Sequence, residues 1–173
     1  MAVNQSSLRD TLRFWSSGVS VVATLTDNAR DFKYAGMTVN SFTSLSLDPA
    51  QILICIDKNS TTTDYLLKAG VFSISILSAD QADLSDRFAG RVTLPSHGDR
   101  FVGVAFETAV TGAPILHGAL AWLDCRIQTV HDGSSHWIVI GSVVASGHTP
   151  TATEPLIYFN RAYSMLAPEP ERS

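Results

Sequence analysis

Ala35-Gly-Met-Thr-Val-Asn-Ser-Phe-Thr-Ser-Leu-Ser-Leu-Asp-Pro49, with Gln51-Ile-Leu-Ile-Cys-Ile-Asp-Lys-Asn-Ser-Thr-Thr-Thr63 close behind it, decides how this chain is read. A run of small hydroxyl and amide side chains leads into an apolar strand, and a second run of hydrogen-bonding side chains follows. Thr38, Asn40, Phe42 and Ser44 share one strand parity, and Met37, Val39, Ser41 and Thr43 share the other. A barrel wall buries one parity and turns the other outward, which offers hydroxyl and amide groups to a ligand. Ile52 to Ile56 is continuously apolar and reads as a strand buried on both faces. Asp57, Lys58, Asn59, Ser60 and Thr61 then combine a point charge, hydroxyls and the free N–H groups of a helix start, a seat suited to phosphate. The same residues also fit a plainer role, satisfying solvent on an edge strand and capping a helix.

Outward from this stretch, strands outnumber helices. Ser7 followed by Asp10 predicts a capped helix with Leu8, Leu12 and Trp15 on its apolar side and Gly18 as its stop. A β-branched strand over 19–26 and a turn over 27–31 precede one long, bent strand over 32–47, broken by Asp48-Pro49. A short helix is expected from about Thr63 to before Gly70, then a strand over 71–77. Ser78 and Gln81 form a capping-box pattern that opens a helix ending at Gly90. Residues 91–103 read as a surface loop. Strands over 120–130 and 136–146 are joined by the hairpin Asp132-Gly-Ser-Ser135. The pattern lacks regular strand–helix alternation. It predicts a mostly β protein, an antiparallel barrel or sandwich with a few peripheral helices, in one domain over 1–173, with its core at about 8–166 and a frayed tail over 167–173.

Composition narrows the function. The net charge of −4 comes with scattered Lys and Arg, which argues against nucleic acid as a partner. No apolar window suits a membrane span, and the N-terminal residues lack the features of a secretory signal, so cytoplasmic residence is expected. Cys55 and Cys125 read as buried free thiols. The sequence holds no Gly-x-Gly-x-x-Gly after a strand, no P-loop and no Gly-x-Ser-x-Gly elbow. Of the five histidines, His131 and His136 flank the hairpin turn and are expected across from each other. No ligand set at familiar spacing accompanies them or His148, so no metal is expected. His136 is read as an imidazole at the rim of a pocket.

The stretch 36–49, the segment 51–63, Phe72-Ser-Ile-Ser-Ile-Leu77 with Gln81 and Phe88-Ala-Gly90, Gly112-Ala-Pro114, the runs 119–125 and 138–141, Pro155-Leu-Ile-Tyr158 and Tyr163 follow one another in an order that resembles the flavin reductase-like family. The resemblance covers about Leu8 to Leu166. It implies a Greek-key split β-barrel that binds FMN or FAD, usually as a homodimer, and reduces free flavin with NADH or NADPH. The reduced flavin would serve a separate flavin-dependent oxygenase component. By the same resemblance Met37, Thr38, Val39, Asn40 and Ser41 line the flavin ring and ribityl chain. Asp57, Lys58, Asn59, Ser60 and Thr61 surround the ribityl and phosphate end, with Ala89 on the same phosphate side. Family members often carry Gly-Asp-His before a strand, with that His near the nicotinamide. Here the sequence is Asp132-Gly-Ser-Ser-His136, so a serine takes the place of the acid and His136 loses that partner. Tyr163 either covers the nicotinamide side or is a core aromatic with a satisfied hydroxyl. The alternative is a non-catalytic FMN-binding protein of the same fold.

Overall fold

The computed structural model describes residues 3–27, 33–94, 99–150 and 154–166. Most of the turn expected over 27–31, the first residue of the strand expected over 32–47, His97 and the tail over 167–173 lie outside them. In chain order the elements are α1 (Gln5–Leu12), β1 (Ser17–Gly18), β2 (Ser20–Leu25), β3 (Tyr34–Val39), β4 (Thr43–Leu47), β5 (Ala50–Asp57), α2 (Thr61–Ala69), β6 (Val71–Ile76), α3 (Ala82–Phe88), β7 (Phe106–Thr108), β8 (Pro114–Leu116), β9 (Ala121–Gly133), β10 (His136–His148), β11 (Ile157–Phe159) and β12 (Ala162–Ser164). A single 3-10 turn, Ala79–Gln81, precedes α3.

Seven strands form one antiparallel sheet in the order β3-β2-β6-β9-β10-β5-β4. The sheet does not close, and it carries peripheral helices, which is the split-barrel architecture. The long strand expected over 32–47 is therefore two strands at opposite ends of this order. Asn40-Ser41-Phe42 spans the opening between them. A single regular strand of that length would have to leave its ladder to cover both edges, so the chain breaks pairing where the barrel is split.

Local chemistry explains most boundaries. Ser78 and Gln81 make the reciprocal capping box, with Ser78 N–H donating to Gln81 Oε1 at 3.2 Å. Gly70, at φ 68°, ends α2 in the left-handed conformation. α2 itself starts at Thr61, two residues earlier than its sequence suggests. α1 is capped by Asn4, whose Oδ1 accepts the Ser7 N–H at 2.8 Å, so Ser7 lies inside the helix. Gly18 is not its stop: Arg13 closes it in right-handed conformation, and Gly18 pairs with Ile157. The apolar side of α1 is left largely uncovered by the described residues. Leu8, Leu12 and Trp15 are 50%, 56% and 75% exposed.

The main core lies inside the sheet, around Val22, Ile54, Ile56, Phe72, Ile74 and Val139, each fully enclosed. A second cluster under α3 joins Val21, Leu77, Phe88 and Phe101. β5 corrects the two-faced expectation. Ile52, Ile54 and Ile56 are buried, while Gln51, Leu53 and Cys55 between them stay half-exposed. The loop after α3 is also less superficial than its composition suggests. Phe101 is buried, and the Arg100 guanidinium donates to the carbonyls of Gly36 and Phe88 at 2.8 Å each. Charge in this loop satisfies backbone acceptors that the barrel leaves open. In the hairpin, the turn proper is Ser134-Ser135, with Ser134 at φ 68°; the second strand starts at His136 as expected, and the strands run on further than expected, to Gly133 and to His148. His136 pairs with Gly133 and His131 with Ile138, so the two histidines are offset along the ladder and do not face each other.

Candidate active site

Two cavities meet at the end of β3. The larger, about 460 Å³, is lined by Met37, Thr38, Val39, Asn40, Ser41, Cys55, Asp57, Gly133, His136 and Ile138. The smaller, about 150 Å³, shares Thr38, Val39 and Asn40 and adds Val19, Ser85, Ala89, Arg91, Tyr158 and Tyr163. Both exist because β3 ends here. Once the ladder stops at Val39, residues of both parities, 37–41, turn their backbone and side chains to the same space. The expectation of one outward parity is thus replaced by a strand end that presents both.

The larger cavity has an apolar wall from Val39 and Ile138 and a polar rim. Ser41 Oγ donates to the Cys55 carbonyl at 2.6 Å, which ties the crossing segment to β5. Asp57 and His136 are direct partners in the β5–β10 ladder, so both stand at the same level of the rim. Ser135 Oγ lies 2.9 Å from His136 Nδ1. The serine that stands in place of the acid therefore supplies His136 with a partner of its own, a neutral hydroxyl.

The smaller cavity is organised by charge. Thr38 Oγ1 donates to the Ser85 carbonyl at 2.6 Å, joining β3 to α3. The Tyr163 hydroxyl lies 2.6 Å from Asp86 Oδ1 and 2.9 Å from Ser85 Oγ, and donates to the carboxylate. Arg91 Nη1 donates to Asp86 Oδ1 at 2.9 Å. The Tyr163 hydrogen bond, with help from Arg91, holds the Asp86 carboxyl below its ordinary range. Burial, then the neighbouring carboxylate, pushes the Tyr163 phenol up. Arg91 is thus a fixed cation with further guanidinium N–H groups at the cavity wall.

The sequence-expected residues divide between these spaces. Met37, Thr38, Val39, Asn40, Ser41, Asp57 and His136 meet in the larger cavity. Ala89 and Tyr163 meet in the smaller, Tyr163 with a satisfied hydroxyl and on the side away from His136. Lys58, Asn59, Ser60 and Thr61 line neither. Lys58 Nζ is held by Asp132 at 2.7 Å and lies 4.2 Å from the Trp137 ring centroid. The Asn59 N–H donates to Asp57 Oδ1 at 2.9 Å, Ser60 Oγ lies 3.9 Å from Met37 Sδ, and Thr61 opens α2 beside Arg100. Arg91 escaped the sequence reading, although it directly follows the Phe88-Ala-Gly90 signature.

The described residues hold no group of three or more His, Cys, Asp or Glu side chains arranged to take a metal ion. No helix among them is long and apolar enough to cross a membrane.

Residues 12–167 match the flavin reductase like domain. The chain belongs to that family. An FMN reductase (NADH), RutF 2 of Methylorubrum extorquens, is 36% identical over 98% of this flavin reductase-like chain and 94% of its own. The reductase subunit HsaB of a Mycobacterium tuberculosis flavin-dependent monooxygenase is 30% identical over 96% of this chain and 85% of its own. Among solved structures, the NADH:FAD oxidoreductase SgcE6 of Streptomyces globisporus superposes with a TM-score of 0.85 at 31% identity, over 97% of this chain and 98% of that one.

The two thiols of this family member differ in a checkable way. Cys125 is fully buried, and burial pushes its thiol up to about 12, whereas Cys55 lines the larger cavity. A maleimide at pH 8 is expected to label Cys55 and spare Cys125, and added FMN to slow that labelling. Peptide mapping that found Cys125 modified first, or no protection, would contradict this placement.

Proposed function

We propose that the chain is an NAD(P)H:flavin oxidoreductase that reduces FMN or FAD with a nicotinamide and supplies a separate flavin-dependent oxygenase. The observation that carries the site assignment is the difference between the joined cavities. The larger has the volume of a small-molecule site and an apolar wall from Val39 and Ile138 beneath a polar rim. Among the described residues its lining includes Asp57 and no Lys or Arg, while the smaller is lined by Arg91. A flat ring therefore belongs in the larger space and an anionic phosphate in the smaller, with the ribityl chain passing Thr38, Val39 and Asn40. This moves the phosphate away from the segment 57–61, keeps it on the Ala89 side that the resemblance also implied, and adds Arg91. The residues present fit the group: an apolar wall, the Asn40 amide and hydroxyl oxygens at its edge, and one oriented cation at its tail. The relatives' names, FMN reductase (NADH), monooxygenase reductase subunit and NADH:FAD oxidoreductase, support the activity and the downstream oxygenase.

A bound flavin supplies the hydride acceptor and the nicotinamide the donor, so little covalent chemistry falls to the protein. The chain's part is to hold and align. Val39 and Ile138 form a rigid floor, Asn40 and Ser41 offer amide and hydroxyl groups to the ring edge, and Arg91 anchors the tail. His136, oriented through Ser135, directs the nicotinamide onto the exposed ring face. Alignment of two bound rings recovers entropy otherwise lost in their encounter.

A homodimer fits the same surface. The uncovered side chains of Leu8, Leu12, Phe14 and Trp15 flank a further hollow lined by Leu12, Arg13, Trp15, Tyr158, Asn40 and Ser41. A second copy seated there would cover the crossing segment from its outer side.

The test is steady-state NADH and NADPH oxidation with FMN, FAD and riboflavin in turn. Turnover that depends on added flavin is expected, and protein that binds flavin without oxidising either nicotinamide would leave a passive flavin carrier. His136→Ala is expected to raise the nicotinamide KM about tenfold, the loss of one charge-assisted or well-oriented contact. Flavin affinity should change little. Weakened flavin binding with unchanged nicotinamide kinetics would remove His136 from its assigned role.

A further inference from the structure

We infer that Lys58 and Asp132 are positioning residues for the nicotinamide step, clasped over Trp137 on the opposite face of the sheet so that His136 is held at the cavity rim. The inference rests on the reading of the larger cavity as the flavin and nicotinamide site.

His136 needs such a device. It is the first residue of β10, exposed, directly after the two-residue turn Ser134-Ser135. Hairpin tips of this kind open readily, because few apolar contacts hold them. Here the tip is tied from several directions. Lys58 Nζ bonds Asp132 Oδ1 at 2.7 Å, and the Lys58 backbone N–H donates to the Ser135 carbonyl at 3.1 Å. Asp132 Oδ1 also accepts the Ser134 N–H at 2.8 Å, which closes the turn from within. The Lys58 ammonium stands 4.2 Å from the centre of the Trp137 ring, close enough for a cation–π contact.

The register shows what this fixes. Trp137 pairs with Asp132 on β9 and with Ile56 on β5, so one lysine bridges the ends of three strands. Adjacent residues of a strand point to opposite faces, so when His136 faces the rim Trp137 lies on the opposite, core-facing side, where it packs against the cluster that holds Ile56. Asp57 and His136, which share the rim, are the ladder pair immediately beside the clasp. The Lys58 side chain is 24% exposed and Asp132 67%. Partly exposed ion pairs add little to global stability, so the clasp can be broken while the barrel stands. Its effect is local and geometric, and a small misplacement of an orienting group is enough to be felt in the reaction it orients.

The experiment uses the full chain carrying Lys58→Met, Lys58→Arg, Asp132→Asn and the double variant Lys58→Met/Asp132→Asn. FMN titration, steady-state NADH oxidation with FMN, and amide hydrogen exchange over 133–137 are measured on each. Lys58→Met and Asp132→Asn are each expected to raise the NADH KM about three- to tenfold, with FMN affinity held within about twofold, the pattern of an alignment defect. Exchange at Ser135 and His136 should quicken. Lys58→Arg, which keeps the charge and the ring contact, should retain the wild-type KM. The double variant should be no worse than the worse single one. Unchanged KM and unchanged exchange would overturn the inference. So would a fall in FMN affinity with KM intact, which would return Lys58 to the flavin itself. If wild-type protein fails to oxidise NADH with FMN, the proposed activity falls instead, and the exchange data still decide whether the clasp holds the tip.

Discussion

Arg91→Ala is expected to weaken FMN binding about 10- to 100-fold, the loss of charge-assisted hydrogen bonds worth about 1.5–3 kcal/mol. The argument is electrostatic. The phosphate of FMN is the ligand's only full charge, and Arg91 is the only Lys or Arg among the described residues that line the two joined cavities. Asp86 holds one guanidinium nitrogen and Tyr163 holds Asp86, so the fork is fixed before the ligand arrives. Arg91→Lys should recover part of the affinity, since it keeps the charge and loses the planar fork. Riboflavin, which lacks the phosphate, provides the control: its affinity should be the same for wild type and Arg91→Ala. A variant that bound FMN normally, or lost riboflavin and FMN equally, would put the phosphate elsewhere.

Phe72→Ala is expected to cost about 3–5 kcal/mol of stability, as deletion of a buried aromatic ring leaves a cavity that the core cannot fill. Phe72 is fully enclosed on β6, and its ring occupies the space over Gly141 on β10. The same contact predicts a reciprocal effect. A Cβ on Gly141 would stand 2.6 Å from Phe72 Cζ and 3.3 Å from Cys125 Cβ, so Gly141→Ala should cost about 1–3 kcal/mol through overpacking. The two changes occupy one space and are expected to be non-additive, the double variant losing less than the sum. Urea denaturation followed by far-UV circular dichroism measures all three. A loss under about 1 kcal/mol for Phe72→Ala, against that range, would mean that the ring is not the keystone of this part of the core.

Much of the fold was legible because local chemistry and tertiary structure agree. The β-branched run of β2, the left-handed stop at Gly70 and the Ser78/Gln81 box each carry their own signal in neighbouring residues. The break between β3 and β4 was not legible as two strands. Asn40-Ser41-Phe42 contains no Gly or Pro to mark a break, and the one local sign is a slip in alternation, the apolar parity passing from Met37 and Val39 to Phe42 and back to Leu45. What breaks the strand is the opening of the barrel, a property of the whole sheet. The same limit applies to the site. Residues 37–41 stand out because they are consecutive. Lys58 reads as a phosphate ligand because it stands among hydroxyl and amide side chains at a helix start, whereas its partner Asp132 is 74 residues away. Arg91, one arginine after a glycine, gains its meaning from Asp86 and from Tyr163, 72 residues further on. Short-range patterns report secondary structure and ligand-shaped composition; which charge is free to meet a ligand is decided by long-range pairing.

The most direct measurement is a crystal structure of the protein with FMN. The account predicts the tricyclic ring against Val39 and Ile138 in the larger cavity, beneath His136, and the phosphate within hydrogen-bonding distance of Arg91. A phosphate held by Lys58 and the first turn of α2, or a ring seated outside the cavity that Met37 to Ser41 line, would contradict it.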